Sequence, residues 1–161
     1  MKIAYTMNGL IGGFTGKNYV GSSDEDSRLI LRYVSESIKK FVKPYCDVDF
    51  FIFSWHTNFE DDFKKCLNPV KLKLEPQKDF HIPVHLLGKN DKRVIAHKSR
   101  WYGYKEVIKL VTEHEVENNF EYDLVINARF DMCWNKPMNF DTTLDPNQFH
   151  IPYHIDRMDY G

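Results

Sequence analysis

The residues best suited to chemistry follow a short apolar run near position 125. The run is Tyr122-Asp-Leu-Val-Ile-Asn-Ala, and it leads directly into Arg129, Phe130 and Asp131. Parallel strands that are buried on both faces have such continuous apolar sequences, and in open α/β sheets ligands bind beyond the carboxyl ends of the strands. We therefore expect a buried strand that places Arg129 and Asp131 at a ligand-binding cleft. The alternative is an ion pair on a surface turn.

A cation and a diphosphate are the ligands that these two side chains suit. Mg²⁺ and Mn²⁺ prefer oxygen ligands and commonly keep several waters, so Asp131 and a diphosphate can complete the coordination shell. Arg129 can neutralise the same diphosphate, because a guanidinium group binds oxyanions bidentately and stays charged. A structural ion pair of Arg129 with Asp123 or Asp131 is the other interpretation.

Two further strand ends contribute candidate residues. Residues 2–7 are a predicted strand, and the loop at residues 8–16 holds four glycines. Glycines let backbone N–H groups approach a ligand closely, but the loop lacks the lysine of a P-loop and the spacing GxGxxG. Phosphate binding and an ordinary turn both remain open. Residues 47–57 form a second predicted strand, whose polar tip carries Ser54, Trp55 and His56.

Aromatic and histidine side chains are weaker candidates. Trp55 and Tyr102 are placed to stack on a base or a sugar, although aromatic residues at strand or helix spacing are more often part of the core. His56 is expected to face the cleft, and the other histidines show no metal-ligand spacing. Neither GxSxG nor a paired-carboxylate spacing indicates a hydrolase.

Helices must separate the strands. A capping box of Ser22 with Glu25 or Ser23 with Asp26 begins the first helix, which ends near Pro44. The remaining predicted elements are a short helix capped by Asn58 and ended by Pro69, a strand at residues 70–74, an irregular connection at 80–91, a helix at Ser99–Asn119, and a lip over the cleft after Asp131. This order predicts an α/β fold with a mostly parallel central sheet flanked by helices and joined by right-handed crossovers.

Composition limits the classes of function. The chain of 161 residues is expected to form a single domain, truncated at its C-terminal end because Gly161 follows no closing helix. With 22 basic and 23 acidic residues there is no basic field to bind nucleic acid. We find no signal peptide and no apolar run of the roughly 20 residues that span a bilayer. The three cysteines lack zinc spacing and indicate free thiols in the cytoplasm.

The order of these motifs resembles the nucleotide-sugar glycosyltransferases of the GT-A fold, in particular those encoded by large DNA viruses and bacterial surface-polysaccharide clusters. The resemblance spans nearly the whole chain and rests on segments 2–9, 48–55, 69–75, 99–105 and 122–131. It implies a single GT-A-like, Rossmann-like domain over residues 1–161. The implied location is the cytoplasm, which is the host cytoplasm if the chain is virus-encoded.

The resemblance also implies a nucleotide-sugar site. Asp131 matches the last acid of the DxD metal motif and would bind Mn²⁺ or Mg²⁺, whereas Arg129 stands at the first-acid position. Acceptor-binding groups, and in inverting members a base, are implied near residues 149–153. The expected binding residues are Met7, Asn8, Gly9, Ser54, Trp55, His56, Arg100, Arg129, Phe130 and Asp131.

The implied function is transfer of a sugar from a nucleoside diphosphate sugar to a glycan or other acceptor hydroxyl, as in polysaccharide biosynthesis. Asp131 with its cation and Arg129 or Arg100 would stabilise the leaving diphosphate. No catalytic base is assigned. Two other classes stay open: a non-catalytic nucleotide- or carbohydrate-binding module, and a sugar nucleotidyltransferase.

Overall fold

Strands and helices alternate along the chain, as the sequence predicts. The computed structural model describes residues 1–12, 23–82, 88 and 91–138, with the backbone alone for 91 and 92. The elements in order are β1 (Lys2–Gly9), α1 (Asp24–Phe41), a 3₁₀ turn (Lys43–Tyr45), β2 (Asp47–Ser54), α2 (Glu60–Leu67), β3 (Lys71–Leu74), α3 (Asp91–Asn118) and β4 (Leu124–Ala128).

The four strands form one sheet in the order β3-β2-β1-β4, and every pairing is parallel. Helices α1 and α2 share a core with one face, which presents Tyr5, Met7 and Ile52. Helix α3 packs on the other face, against Ala4, Phe51 and Phe53. The chain is therefore an α/β sandwich of the Rossmann-like kind, which confirms the predicted fold class.

The strand order reverses at β1. From β1 the chain moves outward through β2 to β3, and α3 then carries it across the opposite face to β4, on the other side of β1. The chain that follows β1 and the chain that follows β4 both continue on the face covered by α1. Such a point in a doubly wound sheet opens a crevice between neighbouring strands, and ligands bind there.

Strand β4 differs from the prediction. It pairs with β1 along one side and is an edge strand within the described sheet. Its side chains alternate between half-buried and exposed up to Ala128, and Val125 is 42% exposed. The prediction of a strand buried on both faces is therefore wrong, because α3 packs over β1 and β2 instead.

Helix boundaries depend on contacts that a local pattern does not reveal. At the start of α1 the capping box forms between Ser23 and Asp26. The predicted cap of α2 is wrong, because Asn58 donates its amide to Asp24 Oδ2 at 2.7 Å and Phe59 is the N-cap, without a side-chain hydrogen bond. Helix α3 begins at Asp91, eight residues before the predicted Ser99. None of the described helices is long and apolar enough to cross a membrane.

The chain after β4 returns along α1. Trp134 Nε1 donates to the buried Tyr5 hydroxyl at 2.8 Å, and the Trp134 amide donates to Ser37 Oγ at 3.2 Å. The Met138 amide then donates to the Phe41 carbonyl at 2.8 Å. Residues 134–138 therefore cover a face of the sheet, where we expected a lip over the cleft. The rest of that predicted lip, with residues 149–153, lies outside the described residues.

Candidate functional site at the switch point

The carboxyl ends of β1 and β4 are joined by side-chain amides. Asn8 Nδ2 donates to Asn127 Oδ1 at 3.1 Å. The same Asn127 oxygen accepts from Thr6 Oγ1 at 3.3 Å, and this hydroxyl also lies 3.0 Å from the Ile126 carbonyl. Sequence reasoning did not single out Asn127, although an amide inside an otherwise apolar strand is a detectable signal. These contacts hold the ends of β1 and β4 together.

Arg129 and Asp131 form a bidentate ion pair just beyond β4. Arg129 Nε lies 2.7 Å from Asp131 Oδ1, and the terminal nitrogen Nη2 lies 2.6 Å from Oδ2. The hydrogen bonds from Arg129 are the main reason why the pKa of Asp131 is lowered, and the charge of Arg100 acts in the same direction. Both side chains remain accessible, at 60% and 42% exposed. Arg129 thus forms the ion pair with Asp131 that was its other interpretation, and a ligand can still reach this pair.

Glycines leave room around the first strand end. Gly9 has a φ of +104°, and a Cβ placed on it would meet nothing within 4 Å. A Cβ on Gly12 would lie 3.6 Å from Asp131 Cβ. The loop after β1 therefore approaches the chain after β4, while its later glycines, at positions 13 and 16, lie outside the described residues.

Helix α3 approaches the switch point through a glycine. A Cβ on Gly103 would lie 3.1 Å from Asn8 Oδ1 and 3.2 Å from Phe53 Cδ1. Because no larger side chain intervenes, the helix lies close to β1 and β2. Arg100 precedes Gly103 by about one helical turn. This placement explains why the Arg100 charge influences Asp131.

The tip of β2 is tied to the end of β1. Ser54 Oγ donates to the Gly9 carbonyl at 2.9 Å and accepts from the His56 amide at 3.2 Å. The His56 ring stacks on Phe59 with 4.9 Å between centroids. Its Nδ1 atom is buried without a partner among the described residues, and burial lowers the pKa of His56 while the charge of Asp24 opposes that effect.

Three predicted binding residues have side chains in the core. Met7, Trp55 and Phe130 are all buried, and Phe130 packs on Phe63. Trp55 stacks on Tyr102 at 5.5 Å with 21° between the rings. The two aromatic residues expected to stack on a base or sugar therefore stack on each other. These side chains belong to the core beneath the strand ends, while Asn8, Arg100, Arg129 and Asp131 lie near the carboxyl ends of β1 and β4.

A second polar cluster lies at the end of β3. Glu75 pairs with Lys73 at 2.8 Å and with Lys78 at 3.0 Å, and it accepts a hydrogen bond from the Tyr102 hydroxyl. Chiefly because of the hydrogen bond from Lys73, the pKa of Glu75 falls to about 2. Lys73 also pairs with Glu106 at 2.5 Å. This cluster links β3 to α3, at the opposite edge of the sheet from β4.

Few described side chains near the switch point could bind a divalent cation. Within the described residues no three His, Cys, Asp or Glu side chains cluster as metal ligands. Asp131 is the predicted ligand, and both of its oxygens are engaged by Arg129. These side chains do not fit a resident metal ion. Binding of Mn²⁺ or Mg²⁺ with a diphosphate stays a prediction.

No protein-family model, no curated protein and no solved structure matches this chain.

Proposed function

We propose that the chain is a glycosyltransferase that moves a sugar from a nucleoside diphosphate sugar to an acceptor hydroxyl at the switch point between β1 and β4. The observation that carries the proposal is that an accessible arginine and an accessible carboxylate lie beside this switch point of the sheet. Ligands of doubly wound sheets bind at that position. The resemblance to GT-A enzymes supplies the reaction class.

Charge supports a diphosphate as the ligand. Arg129 and Arg100 place two permanent cations near Asp131, and guanidinium groups bind phosphate oxygens bidentately. Gly9 leaves its backbone open to a close approach. In the proposed transfer the acceptor oxygen bonds to the anomeric carbon, the bond from that carbon to the diphosphate breaks, and the electron pair leaves with the diphosphate. The acceptor proton passes to water.

The two arginines are the proposed source of charge stabilisation for the leaving group. The proposed role of Asp131 is to orient Arg129. Asp131 is a weak base, because its pKa is lowered and its carboxylate is held in the ion pair. A cytoplasmic location belongs to the same proposal. All three cysteines are free, as expected for a reducing compartment.

Donor turnover tests the proposal. Release of nucleoside diphosphate from a panel of sugar nucleotides is measured with and without Mn²⁺ for the wild type, Asp131→Ala and the matched control Asp61→Ala, an exposed acid on α2. We expect turnover by the wild type and the control, and its loss in Asp131→Ala. Binding without turnover by the wild type would favour a nucleotide-binding module. Pyrophosphate release from a nucleoside triphosphate would favour a nucleotidyltransferase.

A further inference from the structure

A groove lies between α1 and the chain that follows β4. Its volume is about 560 Å³, and it is lined by Ile30, Tyr33, Val34, Ser37, Asp131 and Cys133. One wall is the helix. The other is the segment whose Trp134 and Met138 amides donate to Ser37 Oγ and to the Phe41 carbonyl of α1. Both walls are thus fixed by the fold.

The groove is apolar except at one end. Ile30 and Val34 belong to the core cluster or pack against it, and the Tyr33 ring is 60% exposed. Ser37 Oγ already donates to the Val34 carbonyl and accepts from the Trp134 amide. A sugar chain with hydroxyls on all sides would find few polar partners here, and burial of unpaired hydroxyls is costly. A molecule with an apolar body fits these walls.

Asp131 connects the groove to the switch point. Asp131 lines the groove, and its carboxylate pairs with Arg129 beyond β4. A hydroxyl at that end of the groove would therefore stand next to the crevice proposed for the sugar nucleotide. The position suits the nucleophile of the transfer.

We propose that this groove binds the acceptor, and that the acceptor is an amphipathic molecule whose sugar hydroxyl is carried on an alkyl or aryl group. The apolar group packs along Ile30 and Tyr33, and the hydroxyl lies at Asp131. This inference rests on the proposed function, since it names the acceptor class of the same site.

Cys133 provides a probe inside the groove. Cys133 is an exposed residue that lines the groove, whereas Cys46 and Cys66 are half-buried, with pKa values raised by burial. Alkylation of the full chain by iodoacetamide is followed at each cysteine by mass spectrometry, with hexyl glucoside or with methyl glucoside. The two probes share the sugar and differ in the apolar group, and the two other cysteines report any general change of the fold.

We expect hexyl glucoside to slow alkylation of Cys133 roughly tenfold at about ten times its dissociation constant, since protection follows occupancy. Methyl glucoside should not protect, and Cys46 and Cys66 should react at unchanged rates. Tyr33→Ala should lose most of the protection. Tyr45→Ala, which removes an exposed tyrosine outside the groove, should keep it.

Equal protection by the two glucosides, or protection that survives Tyr33→Ala, would overturn the assignment of the groove. Absence of protection in the wild type would overturn it as well. Sugar transfer to hexyl glucoside is then measured with any sugar nucleotide that the protein turns over. If a donor is turned over while Cys133 is never protected, the groove inference fails and the proposed function stands. If Cys133 is protected but no donor is bound or turned over, the proposed function fails and the acceptor role fails with it.

Discussion

Replacement of Gly103 by alanine tests how closely α3 packs on the switch point. A Cβ at this position would lie 3.1 Å from Asn8 Oδ1 and 3.2 Å and 3.4 Å from two carbons of the Phe53 ring. These separations are shorter than ordinary van der Waals contact, so the helix or its neighbours must move by a few tenths of an ångström. Phe53 is fully buried and has little room to give.

Two opposing effects decide the result. Alanine in a helix interior is favoured over glycine by about 1 kcal/mol, whereas overpacking of a core contact costs about 1–3 kcal/mol. We therefore expect Gly103→Ala to lower the free energy of unfolding by roughly 0–2 kcal/mol. For a chain of this size 1 kcal/mol corresponds to about 2–4 °C in Tm.

Thermal unfolding of Gly103→Ala is compared with that of Thr112→Ala, an exposed position on the same helix. The control gains helix propensity without a new contact and should be slightly stabilised, by about 0.5 kcal/mol. Asn8→Ala removes the side chain that a Cβ at position 103 would approach most closely. The double variant Asn8→Ala with Gly103→Ala should therefore be more stable than the sum of the two single effects, with a coupling of about 0.5 kcal/mol or more. A rise in Tm of Gly103→Ala by 2–4 °C, as propensity alone gives, would refute the close packing.

Other contacts give predictions of the same kind. Burial lowers the pKa of His56 below its ordinary 6.5, so the contribution of this residue to stability is complete above about pH 6.5 and is lost as the pH falls towards the folded pKa. In urea unfolding between pH 5 and 8, His56→Asn should therefore lose less free energy of unfolding in acid than the wild type. An identical pH profile of the two proteins would contradict this. Trp134→Phe removes the hydrogen bond to the buried Tyr5 hydroxyl and should lower the free energy of unfolding, measured in urea, by about 1–3 kcal/mol. The double variant with Tyr5→Phe should recover part of this loss. Strictly additive effects of the two substitutions would disprove the coupling. Burial is the chief reason why the pKa of Tyr5 is raised to about 12 and why that of Tyr122 is raised as well. Both residues should be absent from the spectrophotometric titration near pH 10 and should become titratable in a partly unfolded variant. A complete titration of all tyrosines near pH 10 in the folded protein would contradict their burial.

Local sequence patterns were sufficient to predict the alternation of strands and helices. The strand-forming residues of β2 and the capping box at Ser23 are short-range signals, and the structure confirms both. Parallel pairing followed from the helices between the strands, since such connections require crossovers.

Long-range placement could not be predicted from those patterns. The apolar run of β4 is compatible with an edge or an interior strand, and its place beside β1 depends on where α3 crosses the sheet. Trp55 lies at a strand tip in the sequence, but its partner Tyr102 comes from a helix 47 positions later, so their stacking is a tertiary contact. The role of Asn127 depends on the register with β1, which brings it beside Asn8 and Thr6.

The binding of a nucleoside diphosphate at the switch point is the central claim, and titration calorimetry tests it most directly. Wild type, Arg129→Ala and the matched control Arg32→Ala, an exposed arginine on α1, are each titrated with a panel of nucleoside diphosphates. We expect at least one of these ligands to bind, Arg129→Ala to raise its Kd about ten- to a hundredfold through the loss of a charge-assisted contact, and Arg32→Ala to leave it unchanged. Binding of equal affinity in the wild type and Arg129→Ala, or no binding of any nucleoside diphosphate, would contradict the claim.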